Sequence, residues 1–450
     1  MRIQEAASAL HADWSGDNAL FTGVSTDSRT LKPGDLFITL SGEQFDGHRF
    51  IPAAIGNGAV AAMVSTGTAI LPTQPNFGWI KVRDTRLSLG HLAASWRRRF
   101  TLPLVAVTGS NGKTTVKEMI AAIFRCEFGL GNILATTGNL NNDIGVPQML
   151  LQLDSCHVGA VIEMGMNHAG EITYLSRLTA PTIAVITNAG TAHIEHLGTT
   201  EAIARAKGEI FEGLETQGVA VINADDPHAL LWRQLAGNRS IVDFGMNGAA
   251  AVSARQIADS PDDRWLLQLP DDTIEIMLQV PGRHNLYNAL AAAGAAIATG
   301  ISAHSIAKGL HNFQGVSGRL QKKAGLNQSI LIDDTYNANP DSMRAALNVL
   351  AEMPGKKILI MGDMGELGAD TATFHHKIGQ QAANAGVDVL LALGESSRHA
   401  VTGFGRGAQH FTDLDTLLDN AKSYLDEHVF ILVKGSRFMH MERVIEQLQA

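Results

Sequence analysis

Leu104-Val-Ala-Val107, Thr108-Gly-Ser-Asn-Gly-Lys-Thr-Thr115 and Val116-Lys-Glu-Met-Ile-Ala-Ala-Ile-Phe124 follow one another without a break. An apolar run, a glycine turn and apolar positions at helical spacing predict strand, tight turn and helix start. Such a turn faces its N–H groups inward at the positive end of a helix, where Lys113 adds a point charge, so it is built to hold phosphate. Thr114 would place its hydroxyl on a magnesium ion. The generic phosphate loop has four residues between its glycines, whereas only Ser110 and Asn111 separate Gly109 from Gly112, and Val107 stands at the earlier glycine's place. By spacing alone an ordinary glycine turn remains an alternative; the flanking strand and helix favour a nucleoside triphosphate site.

Outward from the loop, nearly continuous apolar runs recur at Val158-Gly-Ala-Val-Ile162, Thr182-Ile-Ala-Val-Ile-Thr187 and Gly218-Val-Ala-Val-Ile222. Runs of this kind with helical patterns between them predict a parallel sheet covered on both faces, with ligands at the C-terminal ends of its strands. Glu163 and Asn188 end two of the strands, and His193 follows after a short loop. Each could be a cap or turn residue, or part of a site shared with Lys113.

A second series, Ser329–Asp333, Lys357–Met361, Val389–Leu393 and Val429–Val433, ends in glycine or acidic turns and predicts a Rossmann-like sheet. Residues 1–84 hold shorter runs, Asp35–Leu40 and Ala59–Val64, in a small αβ unit. The turns Thr26-Asp-Ser-Arg29 and Phe45-Asp-Gly-His48 fit capping chemistry, although Ser28 and Arg29 could also hold a phosphate or diphosphate. The expected class is α/β in three domains: 1–84, a central phosphate-loop domain at 85–313 with a parallel sheet, and 314–450.

At 450 residues the chain exceeds one ordinary core, and roughly 150 residues per domain suggests about three. A net charge of −9 argues against a protein built to hold nucleic acid. The short basic cluster Arg97-Arg-Arg99 reads as a solvated helix terminus. Two cysteines, Cys126 and Cys156, are too few for a disulfide framework and suit a reducing compartment. The opening residues lack the apolar core of a signal peptide, and Ala289 to Gly300 is shorter than the roughly 20 residues that cross a bilayer. A cytoplasmic chain without membrane insertion is expected.

Within Glu201-Ala-Ile-Ala-Arg-Ala-Lys-Gly-Glu-Ile-Phe-Glu212, read as one helix, Lys207 shares a face with Ile203, Ile210 and Phe211, opposite Glu201, Arg205, Glu209 and Glu212. A lysine there either snorkels or is held from water, which favours its neutral amine. A neutral amine can react with carbon dioxide to give an anionic carbamate able to ligate a metal.

With these residues assembled, the chain resembles the Mur ligase family of peptidoglycan synthesis over essentially its whole length. The motifs that carry the resemblance are the short loop Thr108–Thr114, Thr136-Thr-Gly-Asn-Leu-Asn-Asn142, Lys207-Gly-Glu-Ile-Phe211, Asp333-Asp-Thr-Tyr-Asn-Ala-Asn-Pro340 and Lys434-Gly-Ser-Arg437. The resemblance implies an ATP-dependent ligase that joins D-alanyl-D-alanine to UDP-N-acetylmuramoyl-tripeptide through an acyl phosphate, acting as a monomer. It implies that Lys113 and the amides of residues 108–115, Thr115 included, hold ATP. Two magnesium ions would be held by Thr114 and Glu163 and by His193 and a carbamate on Lys207. Gly282-Arg-His-Asn285 with Asn288 falls on the adenine side, and Arg319 and Asp334 would close over the nucleotide. Ser28 and Arg29 fall on the UDP-contacting region, and Thr136, Thr137, Asn139, Asn141 and Asn142 on the loop that meets the UDP-linked substrate. Asn337, Asn339, Lys434, Ser436 and Arg437 are candidates near the dipeptide. Tyr336 stands where some relatives carry lysine or histidine, which leaves its contact open. A folylpolyglutamate synthase or another amide ligase of this architecture is the nearest alternative, and a nucleotide-dependent switch a more distant one.

Overall fold

The computed structural model of the chain describes residues 1–42, 45–68, 76–192, 194–248, 250–257 and 264–450. Among these residues the strands form three main sheets, of five, nine and six strands in chain order, with a two-stranded hairpin beside the first. The loop strand, Leu104–Thr108, lies inside the nine-stranded sheet between Gly159–Glu163 and Ile183–Ile186. Ile133–Ala135 adds an edge on one side; Val219–Asn223, Ser240–Gly245 and Val252–Gln256 extend the other, all parallel. Arg264–Gln268 and Thr273–Met277 then continue antiparallel.

Side chains of the central parallel strands alternate between two buried cores, as a sheet covered on both faces requires. Ala106, Ile162 and Ile186 enter one, with the helices Glu171–Thr179 and Thr200–Gly208; Val105, Val161 and Val185 enter the other, beneath Lys113–Phe128 and Arg283–Ala298. The small residues from Ala289 onward belong to this last helix, where a Cβ at Gly294 would come within 3.1 Å of Val221. Smallness there lets helix and sheet approach closely.

The six-stranded sheet runs Gln321–Ala324, Ile330–Asp334, Val429–Lys434, Lys356–Gly362, Val389–Leu393, Ala408–Phe411, parallel except at its first edge. In the five-stranded sheet, Gly23–Ser25, Asp35–Ile38, Ala61–Ser65 and Gly78–Val82 are parallel and Asp13–Gly16 closes the edge antiparallel. The helix Thr85–Arg97 sends Leu89 and Leu92 into this N-terminal core and Ala93 and Ala94 into the central one.

Two local expectations change. The stretch 201–212 is not one helix: the α-helix Thr200–Gly208 passes into a 3₁₀ turn, Glu209–Glu212, although Lys207, Ile203, Ile210 and Phe211 remain buried together. Arg97 is not solvated. Its guanidinium is buried and donates to the carbonyls of Thr179, Phe100 and Ala180, so it closes the C-terminal end of the helix Glu171–Thr179. Only Arg98 and Arg99 of the cluster are exposed.

Candidate functional site

The phosphate-type loop is held by its glycines and by the next strand end. At Gly109 (φ +152°) a Cβ would meet Thr187 Oγ1 at 1.8 Å, and at Gly112 (φ +84°) it would meet Asn288 Oδ1 at 2.3 Å. Both positions therefore exclude a side chain. Asn188 accepts the amides of Ser110 and Asn111 (2.9 Å each) and donates to the Asn111 carbonyl, so it holds the loop. Gly190 N–H donates to Ser110 Oγ at 2.9 Å. Thr108 donates to the Met164 carbonyl, and both Thr108 and Thr115 are buried. Lys113 opens the helix and donates to the carbonyls of Gly109 (2.7 Å) and Ser110 (3.3 Å). Burial lowers its pKa, and the neighbouring Glu163 opposes that shift.

Glu163 ends the adjacent strand and is only 3% exposed. Its Oε1 accepts from Asn141 Nδ2 at 2.7 Å, while Oε2 is buried without a hydrogen-bond partner. A carboxylate oxygen in that state is costly unless a cation meets it, so Glu163 beside Thr114 fits a magnesium site. Lys207 is 1% exposed, and burial, reinforced by the charge of Lys113, holds its pKa well below the usual 10.5. The snorkelling alternative is thereby removed; the amine is of the kind that reacts with carbon dioxide. His193 lies outside the described residues.

A cleft of about 1170 Å³ gathers most of the remaining candidates: Ser110, Asn111, Gly112, Lys113, Thr114, Asn139, Asn141, Asn142, Glu163, Arg319, Asn337, Asn339, Ser436 and Arg437 line it. Arg86 and Asp143, an ion pair that the sequence reading missed, line it as well, as do Glu366 and Tyr336. The Arg319 guanidinium sits 4.1 Å over the Tyr336 ring, which answers what Tyr336 touches: it is the platform for Arg319.

Several candidates, inside the cleft lining and outside it, are engaged by the chain's own hydrogen bonds. Thr136 is buried; its Oγ1 accepts the Glu163 amide at 2.9 Å. The Thr137 hydroxyl points to Met149 Sδ. Asn142 Oδ1 accepts from Ile144 and Gly145 N–H and so caps the following helix at the cleft edge. Asp334 and Lys434 form a buried pair at 2.5 Å, and Lys434 also donates to the Asn337 carbonyl at 2.9 Å. Asp334 accepts from Leu320 N–H, so this pair holds the backbone next to Arg319 and at Asn337, and neither member lines the cleft. Burial pushes the Asp334 pKa up and the Lys434 pKa down, against their mutual attraction. Ser436 donates to the Ala338 carbonyl and accepts from Gly365 N–H.

Ser28 is buried away from the cleft lining, and the exposed Arg29 is paired with Asp27 at 2.7 Å. Their turn is nonetheless tied to the central unit, because Gln148 donates to Thr26 Oγ1 at 2.7 Å from the helix that Asn142 caps. The Phe45–His48 turn is capping chemistry: Asp46 accepts from His48 N–H and Nδ1.

The C-terminal unit closes onto the loop. Asn339 caps the helix Pro340–Ala351 and donates to Asn111 Oδ1 at 2.9 Å, while Asp341 accepts from the Thr191 amide (2.7 Å) and hydroxyl (2.9 Å). Asn285 and Asn288 are buried and bonded to each other, so Asn288 braces Gly112 from behind. Between them and the C-terminal unit, burial and then the charge of Lys434 bring the His284 pKa from 6.5 down to about 4. Between those two values the unfolded chain binds a proton that the folded chain does not, so stability falls as pH drops from 6.5 to 4. Urea unfolding of wild type and His284→Gln should show stability falling by about 3 kcal/mol over that range in wild type alone. Parallel profiles would refute it.

Models of the Mur ligase family match three parts of the chain: the catalytic domain at residues 20–97, the middle domain at 107–296 and the glutamate ligase domain at 318–437. The chain is 42% identical over 452 residues to the UDP-N-acetylmuramoyl-tripeptide--D-alanyl-D-alanine ligase of Escherichia coli (strain K12), covering 99% of this chain and 98% of that protein. The protein of that name from Haemophilus influenzae is 38% identical, with 99% and 97% covered. Among solved structures, MurF from Acinetobacter baumannii superposes with a TM-score of 0.91 at 38% identity, over 99% of this chain and 98% of that one. The MurF ligase from Thermotoga maritima in complex with ADP gives 0.83 at 25% identity, over 96% and 98%.

Proposed function

Because the chain belongs to the Mur ligase family, we propose that it joins D-alanyl-D-alanine to UDP-N-acetylmuramoyl-tripeptide at the expense of ATP, in the cytoplasm, in the making of peptidoglycan precursor. The observation that carries this reading is that one cleft is lined by Lys113 of the phosphate loop, Asn139, Asn141 and Asn142 of the substrate loop, and Arg319 of the C-terminal unit. Among the described residues no helix is long and apolar enough to cross a membrane.

A carboxylate is a poor acyl donor because its leaving group would be an oxide. In the proposed reaction the terminal carboxylate of the tripeptide attacks the γ-phosphorus, the bond to the β-phosphate oxygen breaks, and ADP leaves. The amine of D-alanyl-D-alanine then attacks the acyl phosphate carbon; the tetrahedral intermediate expels phosphate and the nitrogen loses its proton. Lys113 and the amides at the start of its helix bind the phosphates, Arg319 brings positive charge from the C-terminal unit, and the ring of Tyr336 holds Arg319 in place. Thr114 and Glu163, with His193 and a carbamate on Lys207, would hold two magnesium ions, which when bound spread the charge of the transferring phosphoryl group. The unpartnered Glu163 oxygen and the water-starved Lys207 amine support that assignment. Positioning and electrostatics carry such a transfer, so no protein nucleophile is required.

The test is one incubation with ATP, UDP-N-acetylmuramoyl-tripeptide and a mixture of D-alanyl-D-alanine and glutamate, read by mass spectrometry. Glutamate belongs there because the family model over 318–437 is described as a glutamate ligase domain. The expected product is the pentapeptide with stoichiometric ADP. A glutamate adduct alone, or nucleotide binding with no amide, would overturn the proposal.

A further inference from the structure

Lys117 is buried in the helix Lys113–Phe128, 1% exposed, one turn beyond Lys113. Its Nζ donates to the Thr136 carbonyl at 2.7 Å and pairs with the Glu118 carboxylate. Thr136 directly follows the edge strand Ile133–Ala135 and begins the loop that carries Asn139, Asn141 and Asn142 into the cleft. The same Thr136 accepts the Glu163 amide on its hydroxyl, and Glu163 accepts from Asn141 in turn. One buried ammonium thus joins three parts: the helix that begins at the phosphate loop, the root of the substrate loop, and the carboxylate with the unpartnered oxygen. A buried lysine is costly to keep unless its partners are fixed, and here the fixed partner is a backbone carbonyl of the substrate loop.

From this we infer that Lys117 is a positioning residue that couples the nucleotide helix to the substrate loop and to Glu163. The inference rests on the proposed function for the identity of the substrate. Lys117 touches neither the cleft nor the reacting atoms. It sets where Asn139–Asn142 and the Glu163 carboxylate stand, so it acts on the UDP-linked substrate and on magnesium more than on ATP. Glu118 does not depend on it for solvation, being about one-third exposed with Arg125 3.9 Å away, so a neutral replacement leaves no stranded charge.

The test compares Lys117→Met and Lys117→Arg with wild type. Calorimetry should show the Kd for UDP-N-acetylmuramoyl-tripeptide, without nucleotide, weakened about tenfold or more in Lys117→Met, with the Kd for ATP within about twofold of wild type. The magnesium concentration for half-maximal ligation should rise by a similar factor, and hydrogen exchange should quicken at residues 136–142 while the core strands stay protected. Lys117→Arg, which keeps the charge and the donor, should recover part of each effect. An unchanged tripeptide Kd, or equal weakening of tripeptide and ATP with uniformly faster exchange, would overturn the inference. If wild type itself forms no amide, the proposed function has failed instead, while the exchange measurement still decides the positioning role.

Discussion

Lys113→Ala yields a folded protein that ligates at no more than about one-thousandth of the wild-type kcat/KM, a loss of about 4 kcal/mol or more in the transition state. The size follows from where the charge stands. The ammonium rises from the first turn of the helix, and its bonds in the structure are to carbonyls of its own loop, Gly109 and Ser110. Removing it therefore takes away positive charge from the phosphate site without unpinning the loop, which Asn188, Thr187 and Ser110 hold independently. Thermal unfolding should move little, and steady-state rates with saturating substrates should show the loss chiefly in kcat. A correctly folded variant with near-normal ligation would end the assignment of ATP to this loop.

The second large effect is expected at Lys207. Lys207→Ala should lose about a hundredfold or more in activity and regain part of it when formate or acetate is supplied, because a short carboxylate can enter the space left and present the anionic oxygens that the carbamate would have presented. Lys207→Arg, which cannot form a carbamate, should be as inactive and should not be rescued. The physical basis is that the side chain is shut from water and its pKa is driven well down by burial, with Lys113 adding repulsion. A protonated amine there would face that repulsion; an anion would be attracted to Lys113. Native mass spectrometry in bicarbonate should find the carbon dioxide adduct. A bare amine under those conditions, together with no rescue, would refute the carbamate.

What the sequence made legible follows from range. The strands of the central and C-terminal sheets stood out because burial on both faces forces continuous apolar runs, as in Leu104–Val107 and Lys357–Met361. Lys207 stood out because a cation among Ile203, Ile210 and Phe211 breaks a local pattern. Lys117 breaks the same kind of pattern, sharing a face with Ile120, Ala121 and Phe124, and the same argument would have found it. Partners far along the chain left no local mark. Arg97 looked solvated because Thr179 and Ala180, whose carbonyls it holds, lie more than 80 residues away. Nothing in the sequence near Lys434 or Asp334 reveals that each is the other's counter-ion.

The contacts of Asn339 and Asp341 with Asn111 and Thr191 are three hydrogen bonds across two separately built sheets. Each is modest, on the order of 1 kcal/mol, and together they form a clasp between the two units. With these bonds made, Arg319 of the C-terminal unit and Lys113 of the central unit line one cleft. A latch of so few polar contacts ties the meeting of those two cations to the joining of the two units.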